Sequence, residues 1–186
     1  MNSWYLVLDA KLPKDVCDDL INLYKSNESQ KAKIGNKSVT RDKQYRETNV
    51  VGLPYGSNEH KAISELINPY VYMANRESFG FALNNVSEFQ LAEYSKGHFY
   101  KEHMDCVMNG IASQRKLSVT VQLSEPKDYE GGEFLFSKDI GTPDQNIMKE
   151  QGRIVIFSSF VYHEVKPVTS GKRYSLVGWY EGNHWT

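Results

Sequence analysis

Leu117-Ser118-Val119-Thr120-Val121-Gln122-Leu123 is the stretch that decides the fold. Apolar and polar residues alternate through it without a break. Successive side chains on a β-strand point to opposite faces, so Leu117, Val119, Val121 and Leu123 share one face and Ser118, Thr120 and Gln122 the other. The apolar face needs a cover. The polar face suits the wall of a barrel with a wet cavity. Outward from this strand, the chain beyond Asn85 is rich in further strand signals: Ser87–Tyr94, Phe99–His103, Glu133–Phe136, Arg153–Phe157, Glu164–Val168 and Arg173–Tyr180. Ser95-Lys96-Gly97, Gly131-Gly132, Gly141-Thr142-Pro143 and Ser170-Gly171 punctuate them as turns. The N-terminal half reads differently. Trp4–Ala10 and Thr48–Leu53 are strand-like, but Val16, Cys17, Leu20, Ile21 and Tyr24 recur at helical spacing, as do Ile63, Leu66, Ile67, Tyr70 and Val71. Asn58 is the expected cap of the second helix, and Pro69 is expected to bend or split it before Phe79. Helices first and many short strands after predict an α+β protein: a jelly-roll barrel buttressed by N-terminal helices. The expectation is one domain over 1–186, with residues 1–84 as helical support and 85–186 as the barrel.

The composition bounds the function. With 186 residues, 40% hydrophobic and 24% charged, the chain can bury a sizeable core. A net charge of −1 gives no overall pull toward nucleic acid. Two cysteines, Cys17 and Cys106, form no disulfide framework. Neither a signal peptide nor a membrane span is read in the sequence. A cytoplasmic protein is expected.

The chemistry gathers around Glu102-His103-Met104-Asp105-Cys106. On a strand, His103 and Asp105 would point the same way, about 6.6 Å apart along it. An imidazole and a carboxylate so placed can grip one metal ion. His163, in Val161-Tyr162-His163-Glu164-Val165, is the best third ligand. Two His and one carboxylate leave the other positions of an ion open, as in non-haem Fe(II) oxygenases. A strand, a turn and a second strand after His163 would return Arg173 to the metal's side.

Lys25 to Arg46 lacks apolar periodicity. It holds seven Lys and Arg against Glu28 and Asp42, a net +5 within a chain of −1. It is either a solvated loop or a mobile lid that contacts substrate, with Arg41 and Arg46 as candidate contacts.

The segment from about Phe89 to Tyr180 resembles the Fe(II)- and 2-oxoglutarate-dependent dioxygenases of the prolyl 4-hydroxylase-like branch. Gln90-Leu91-Ala92-Glu93-Tyr94, Gly97 and His103-Met104-Asp105 carry one part of the resemblance. Leu117–Glu125 with Asp128-Tyr129-Glu130-Gly131-Gly132-Glu133 carries another. His163–Pro167, Gly171-Lys172-Arg173-Tyr174 and Trp179-Tyr180 complete it. The resemblance implies a double-stranded β-helix, with Fe(II) on His103, Asp105 and His163, 2-oxoglutarate and O2 as co-reactants, and ascorbate as a supporting reductant. It implies that Arg173 binds the distal carboxylate of 2-oxoglutarate, that Tyr94 contacts the cosubstrate, and that Gln122 stands where relatives place a cosubstrate-facing residue. It also implies a prolyl residue in a peptide or protein as substrate, with release of succinate and carbon dioxide. The physical argument agrees: a planar carboxylate suits the planar fork of an Arg. Ser175 and Trp179 share strand parity with Arg173, so Ser175 could share that carboxylate and Trp179 could line the substrate pocket; plain barrel packing is the alternative for both. Other side chains or small molecules remain open as substrates. Nucleobase demethylases typically carry a second Arg six residues after the first, where this chain has Trp179. A non-catalytic jelly-roll module would predict a disabled triad, and a zinc hydrolase would leave Arg173 without a task.

Overall fold

The computed structural model describes residues 4–27, 30–31, 42–106 and 111–183. In chain order its elements are β1 (Tyr5–Lys11), α1 (Lys14–Ser26), β2 (Gln30–Lys31), α2 (Asp42–Tyr45), β3 (Arg46–Glu47), β4 (Asn49–Leu53), α3 (Asn58–Ala74), β5 (Leu83–Ser95) and β6 (Phe99–His103). Then follow β7 (Arg115–Gln122), β8 (Tyr129–Gly131), β9 (Phe134–Phe136), α4 (Gln145–Met148), β10 (Arg153–Ser158), β11 (His163–Val165) and β12 (Val168–Gly182). The strands form two antiparallel sheets. The larger runs β1-β10-β7-β12-β5-β4-β2, with β8 pairing onto β12; the smaller runs β3-β6-β11-β9.

The alternation in β7 sorts the two sides of the larger sheet. Leu117, Val119, Val121 and Leu123 join Phe89, Leu91, Ile154, Ile156, Leu176 and Tyr180 in one core, with Ile63, Ile67 and Val71 of α3 and Cys17 and Leu20 of α1. Each fully buried aliphatic there contributes about 1.5–3 kcal/mol relative to exposure. The helices are therefore the cover that the apolar face requires. Val155 and Phe157, of opposite parity on β10, belong instead to a second cluster with Ala92, Tyr94, Phe134 and Phe136. Between the sheets the buried residues include Ser118, Thr120, Gln122, Arg173 and Ser175, the polar lining read from the alternation.

Several local expectations are corrected. The cap of α3 is Ser57, not Asn58, and its hydroxyl accepts from the His60 amide at 3.1 Å. The helix is not split at Pro69 but runs through it, and it ends at Phe79, as expected, with a π-helical turn over Asn75–Phe79. Ser170-Gly171 is not a turn but lies inside β12. Gly171 is required because it crosses β8, where a Cβ would collide with the Asp128 carbonyl. The reversal after β11 falls instead at Lys166-Pro167, and the Gly132 amide donates to the Pro167 carbonyl at 3.1 Å. The stretch Lys25–Arg46, expected as a solvated loop or a lid, begins inside α1 and ends in β3, with β2 and α2 among its described residues. Lys33, Lys37 and Arg41 lie outside the described residues. Among the described residues no helix is long and apolar enough to cross a membrane.

Candidate metal and cosubstrate site

His103 ends β6, and His163 begins β11 directly opposite it in the antiparallel register. Asp105 lies just past the strand rather than on it. The amides of Asp105 and Cys106 both donate to the Ser159 carbonyl at 2.9 Å, which ends the ladder and swings the carboxylate back. His103 Nε2 sits 3.6 Å from Asp105 Oδ1, and His163 Nε2 sits 3.6 Å from Asp105 Oδ2. One ligand atom from each of the three residues lies within 4.8 Å of the others. Both imidazoles use Nδ1 on a backbone carbonyl, His103 on Lys101 at 2.7 Å and His163 on Val161 at 2.9 Å. Those bonds fix the tautomer that leaves the Nε2 lone pairs facing the carboxylate, as metal-ligating histidines require. The donor set fits one Fe(II).

The surroundings act on the protonation of His163 and Asp105. Burial between Phe134 and Phe157 pushes the His163 pKa down to about 4, against the pull of Asp105. The ring is neutral at pH 7. Burial opposes charge on Asp105, but the two rings, which attract it when protonated, and the Ser118 hydroxyl outweigh that and hold the carboxyl well below its usual range. Ser118, fully buried on β7, donates to Asp105 Oδ2 at 2.7 Å and lies 3.0 Å from the Ser159 hydroxyl. On the other flank the Tyr100 ring stacks on His103 at 3.4 Å, and the Arg46 guanidinium covers Tyr100 at 4.5 Å. Burial, first of all, lifts the Tyr100 phenol to about 12.

Arg173 stands on β12 opposite Tyr94 of β5, with its guanidinium 5.5 Å from that ring. It is 4% exposed, and among the described residues no carboxylate forms an ion pair with it. A buried guanidinium without a counter-charge fits a ligand that brings one. Ser175 follows on the same face, paired across to Gln122. Gln122 turns its amide nitrogen back to the Ser124 carbonyl at 3.1 Å. Trp179 lies across from Ser118, buried, with its indole nitrogen unpartnered. Arg115 stacks on Trp179 at 3.9 Å and donates to the Asp105 carbonyl at 3.4 Å. A separate groove of about 700 Å³, lined by Asp18, Asn22, Lys25, Lys172 and Tyr174, opens on the α1 side of β12, where Arg173 does not point.

Ser118, Tyr100 and Arg115 are the site residues that sequence reasoning left without a role. Strand parity with Gln122 was the one available signal for Ser118. Arg115 and Tyr100 depend on contacts between strands that no spacing reveals.

Comparison with known proteins agrees with this geometry. A PKHD-type hydroxylase of Idiomarina loihiensis is 35% identical over 95 residues, 50% of this chain and 42% of the relative. The matched part thus spans less than half the length of such curated relatives. A prolyl-4-hydroxylase of Pseudomonas putida has the same fold, with a TM-score of 0.73 at 21% identity, over 97% of this chain and 94% of that one. A prolyl hydroxylase of Trichoplax adhaerens, solved with a hypoxia inducible factor oxygen degradation domain peptide fragment, gives a TM-score of 0.74 at 20% identity, over 96% and 84%. The two-sheet architecture is the double-stranded β-helix of these structures. The profile of the 2OG-Fe(II) oxygenase superfamily matches residues 89–181, half of the chain, running from within β5 to within β12 and carrying His103, Asp105, His163 and Arg173, and the chain belongs to that superfamily.

Proposed function

We propose that the chain is an Fe(II)- and 2-oxoglutarate-dependent hydroxylase acting on prolyl residues of a peptide or protein. The observation that carries this reading is the convergence of His103, Asp105 and His163, together with the buried, counter-charge-free Arg173 on the polar face of the larger sheet. The three ligands would hold Fe(II). When bound, the iron supplies the redox chemistry that activates O2 while 2-oxoglutarate is decarboxylated to succinate and carbon dioxide. The chain's own residues position the reactants. Arg173 forms two parallel charge-assisted bonds to the distal carboxylate. Tyr94 shapes the cavity wall beside it, and Ser175 offers a hydroxyl on the same strand face. Trp179, braced by Arg115, gives a flat apolar wall near the Asp105 side, suited to a pyrrolidine ring. Closure by substrate excludes water from this lining. Ascorbate serves as a supporting reductant, and a cytoplasmic setting suits a chain with no disulfide framework.

The prolyl part is supported by the two prolyl hydroxylases of like fold, one of them solved with a peptide. The test incubates the Fe(II)-loaded protein with Pro-containing peptides and 2-oxoglutarate in air. A single added oxygen located on Pro by fragment mass spectrometry is the expected result. Oxygen found only on other residues, or only on a free small molecule, would overturn the prolyl part and leave the hydroxylase part standing.

A further inference from the structure

Tyr129 opens β8 and pairs with Gly171, two residues before Arg173. Its side chain is buried, and its hydroxyl has no hydrogen-bond partner. Leaving a buried hydroxyl unsatisfied is unfavourable, and such a group in a native fold needs a reason. The Arg173 guanidinium acts on the phenol by charge and through a loose donor contact to its oxygen, so it is the phenol hydrogen that is left without an acceptor. The two side chains converge over Gly132: a Cβ there would stand 3.1 Å from Arg173 Cδ and 3.4 Å from Tyr129 Cε2. Gly132 therefore leaves both the stem of Arg173 and the edge of the Tyr129 ring in place.

The charges at this end of the site add up to room for one carboxylate. Glu133 is already paired with Lys149 at 2.8 Å, and Lys149 also lies 5.5 Å from the Tyr129 ring. That leaves the charge of Arg173 uncompensated. Gln122, the other polar residue in position to help, has its amide donor on Ser124. Burial raises the Tyr129 pKa above its ordinary value, so the phenol keeps its proton at neutral pH and remains a donor.

We propose that the Tyr129 hydroxyl donates a further hydrogen bond to the distal carboxylate of 2-oxoglutarate, beside the two from Arg173, and so selects a 2-oxo acid with a carboxylate at its far end. The assignment rests on the hydroxylase reading above. Tyr129 binds and orients the cosubstrate and takes no part in bond making.

The test uses the Fe(II)-loaded full chain under anaerobic conditions. 2-Oxoglutarate is titrated in and followed by the visible charge-transfer absorption of the chelate. 2-Oxopentanoate, which keeps the chelating end and lacks the distal carboxylate, is titrated in parallel. Tyr129→Phe removes only the oxygen and keeps the ring that packs on Gly132. Losing a hydrogen bond to a charged group should raise the Kd for 2-oxoglutarate about ten- to a hundredfold. The Kd for 2-oxopentanoate should not change. An unchanged Kd for 2-oxoglutarate overturns the assignment. Equal weakening of both acids also overturns it, because the hydroxyl would then act on the fold or on the chelating end. If the wild-type chain gives no charge-transfer band, the hydroxylase reading fails, and the assignment falls with it.

Discussion

Replacing Arg173 by Met should have effects of opposite sign with and without the cosubstrate. In the free protein the guanidinium is 4% exposed and has no ion-pair partner among the described residues. Its charge is desolvated without compensation. Met keeps most of the stem and removes the charge. The contact over Tyr94 is lost, worth about 0.5–2 kcal/mol. Replacing buried ionic groups by apolar ones of like size is neutral or stabilising by about 1–4 kcal/mol. The free variant should therefore melt no lower than about the wild-type temperature. With 2-oxoglutarate the balance reverses. Truncating one side of a buried charge pair costs about 2–5 kcal/mol, or roughly 30- to 4,000-fold in Kd. At a concentration about 100 times the wild-type Kd, ligand adds about 2.7 kcal/mol to wild-type stability. Even the mildest loss leaves the variant under about 1 kcal/mol at that concentration. For a chain of 186 residues, the melting temperature should rise about 5–11 °C in the wild type and under about 4 °C in the variant. Thermal unfolding with Fe(II), without O2 and with and without 2-oxoglutarate, reads all four values. An equal rise in both proteins would refute the role given to Arg173. A free variant that unfolds far below the wild type would refute the premise that the charge is uncompensated.

Two further outcomes can be checked separately. Ser118→Ala removes the hydroxyl that fixes Asp105 Oδ2 at 2.7 Å and should weaken metal binding about 10–100-fold, read by competition of a chelator for Co(II); equal affinity would show that the hydroxyl is idle. Glu93, buried on the helix side of β5, accepts from the Tyr174 hydroxyl at 2.8 Å and from Lys172 at 3.1 Å; burial opposes its charge, but those bonds and Ser95 prevail and lower its pKa below 4.5. A carboxylate lowered on folding adds stability that is fully present above its unfolded value and is lost as pH falls through its folded value. Glu93→Gln should therefore be less stable than wild type at pH 7, and denaturant melts of the two should converge as pH drops below 4.5; a gap that does not change with pH would contradict this account.

Much of the fold was legible because one strand displays both of its faces. In β7 the apolar parity identified the helix-covered side and the polar parity the cavity side, and the structure keeps that division across β10 and β12. Residue type and order, together with the family resemblance, singled out His103, Asp105, His163 and Arg173, and the fold brings the first three together. What could not be read depends on contacts between distant segments. β8 has three residues, too few for any period, yet it holds Tyr129 beside Arg173. Gly171 carries the same letter as a turn glycine, but it serves a backbone crossing inside a strand of fifteen residues. Arg46 read as a cation of a polar loop, whereas its face lies on Tyr100, and that ring lies on His103. A cation–aromatic stack leaves no periodic trace in sequence.

The division of labour between the two sheets explains why these functions can be perturbed one at a time. The two histidines come from β6 and β11, neighbours in the smaller sheet, so their spacing is fixed by one register. Arg173, Ser175, Tyr94 and Gln122 come from β12, β5 and β7 of the larger sheet, and Tyr129 from the strand that extends it. Asp105 joins the halves: its position follows β6, while the hydroxyl on its carboxylate comes from β7. Changes at Arg173 or Tyr129 should thus alter cosubstrate affinity without moving the metal ligands, and a change at Ser118 should do the reverse. Effects at sites with no shared partner add. Coupling between the metal ligands and Arg173 would then have to pass through a 2-oxo acid that touched both.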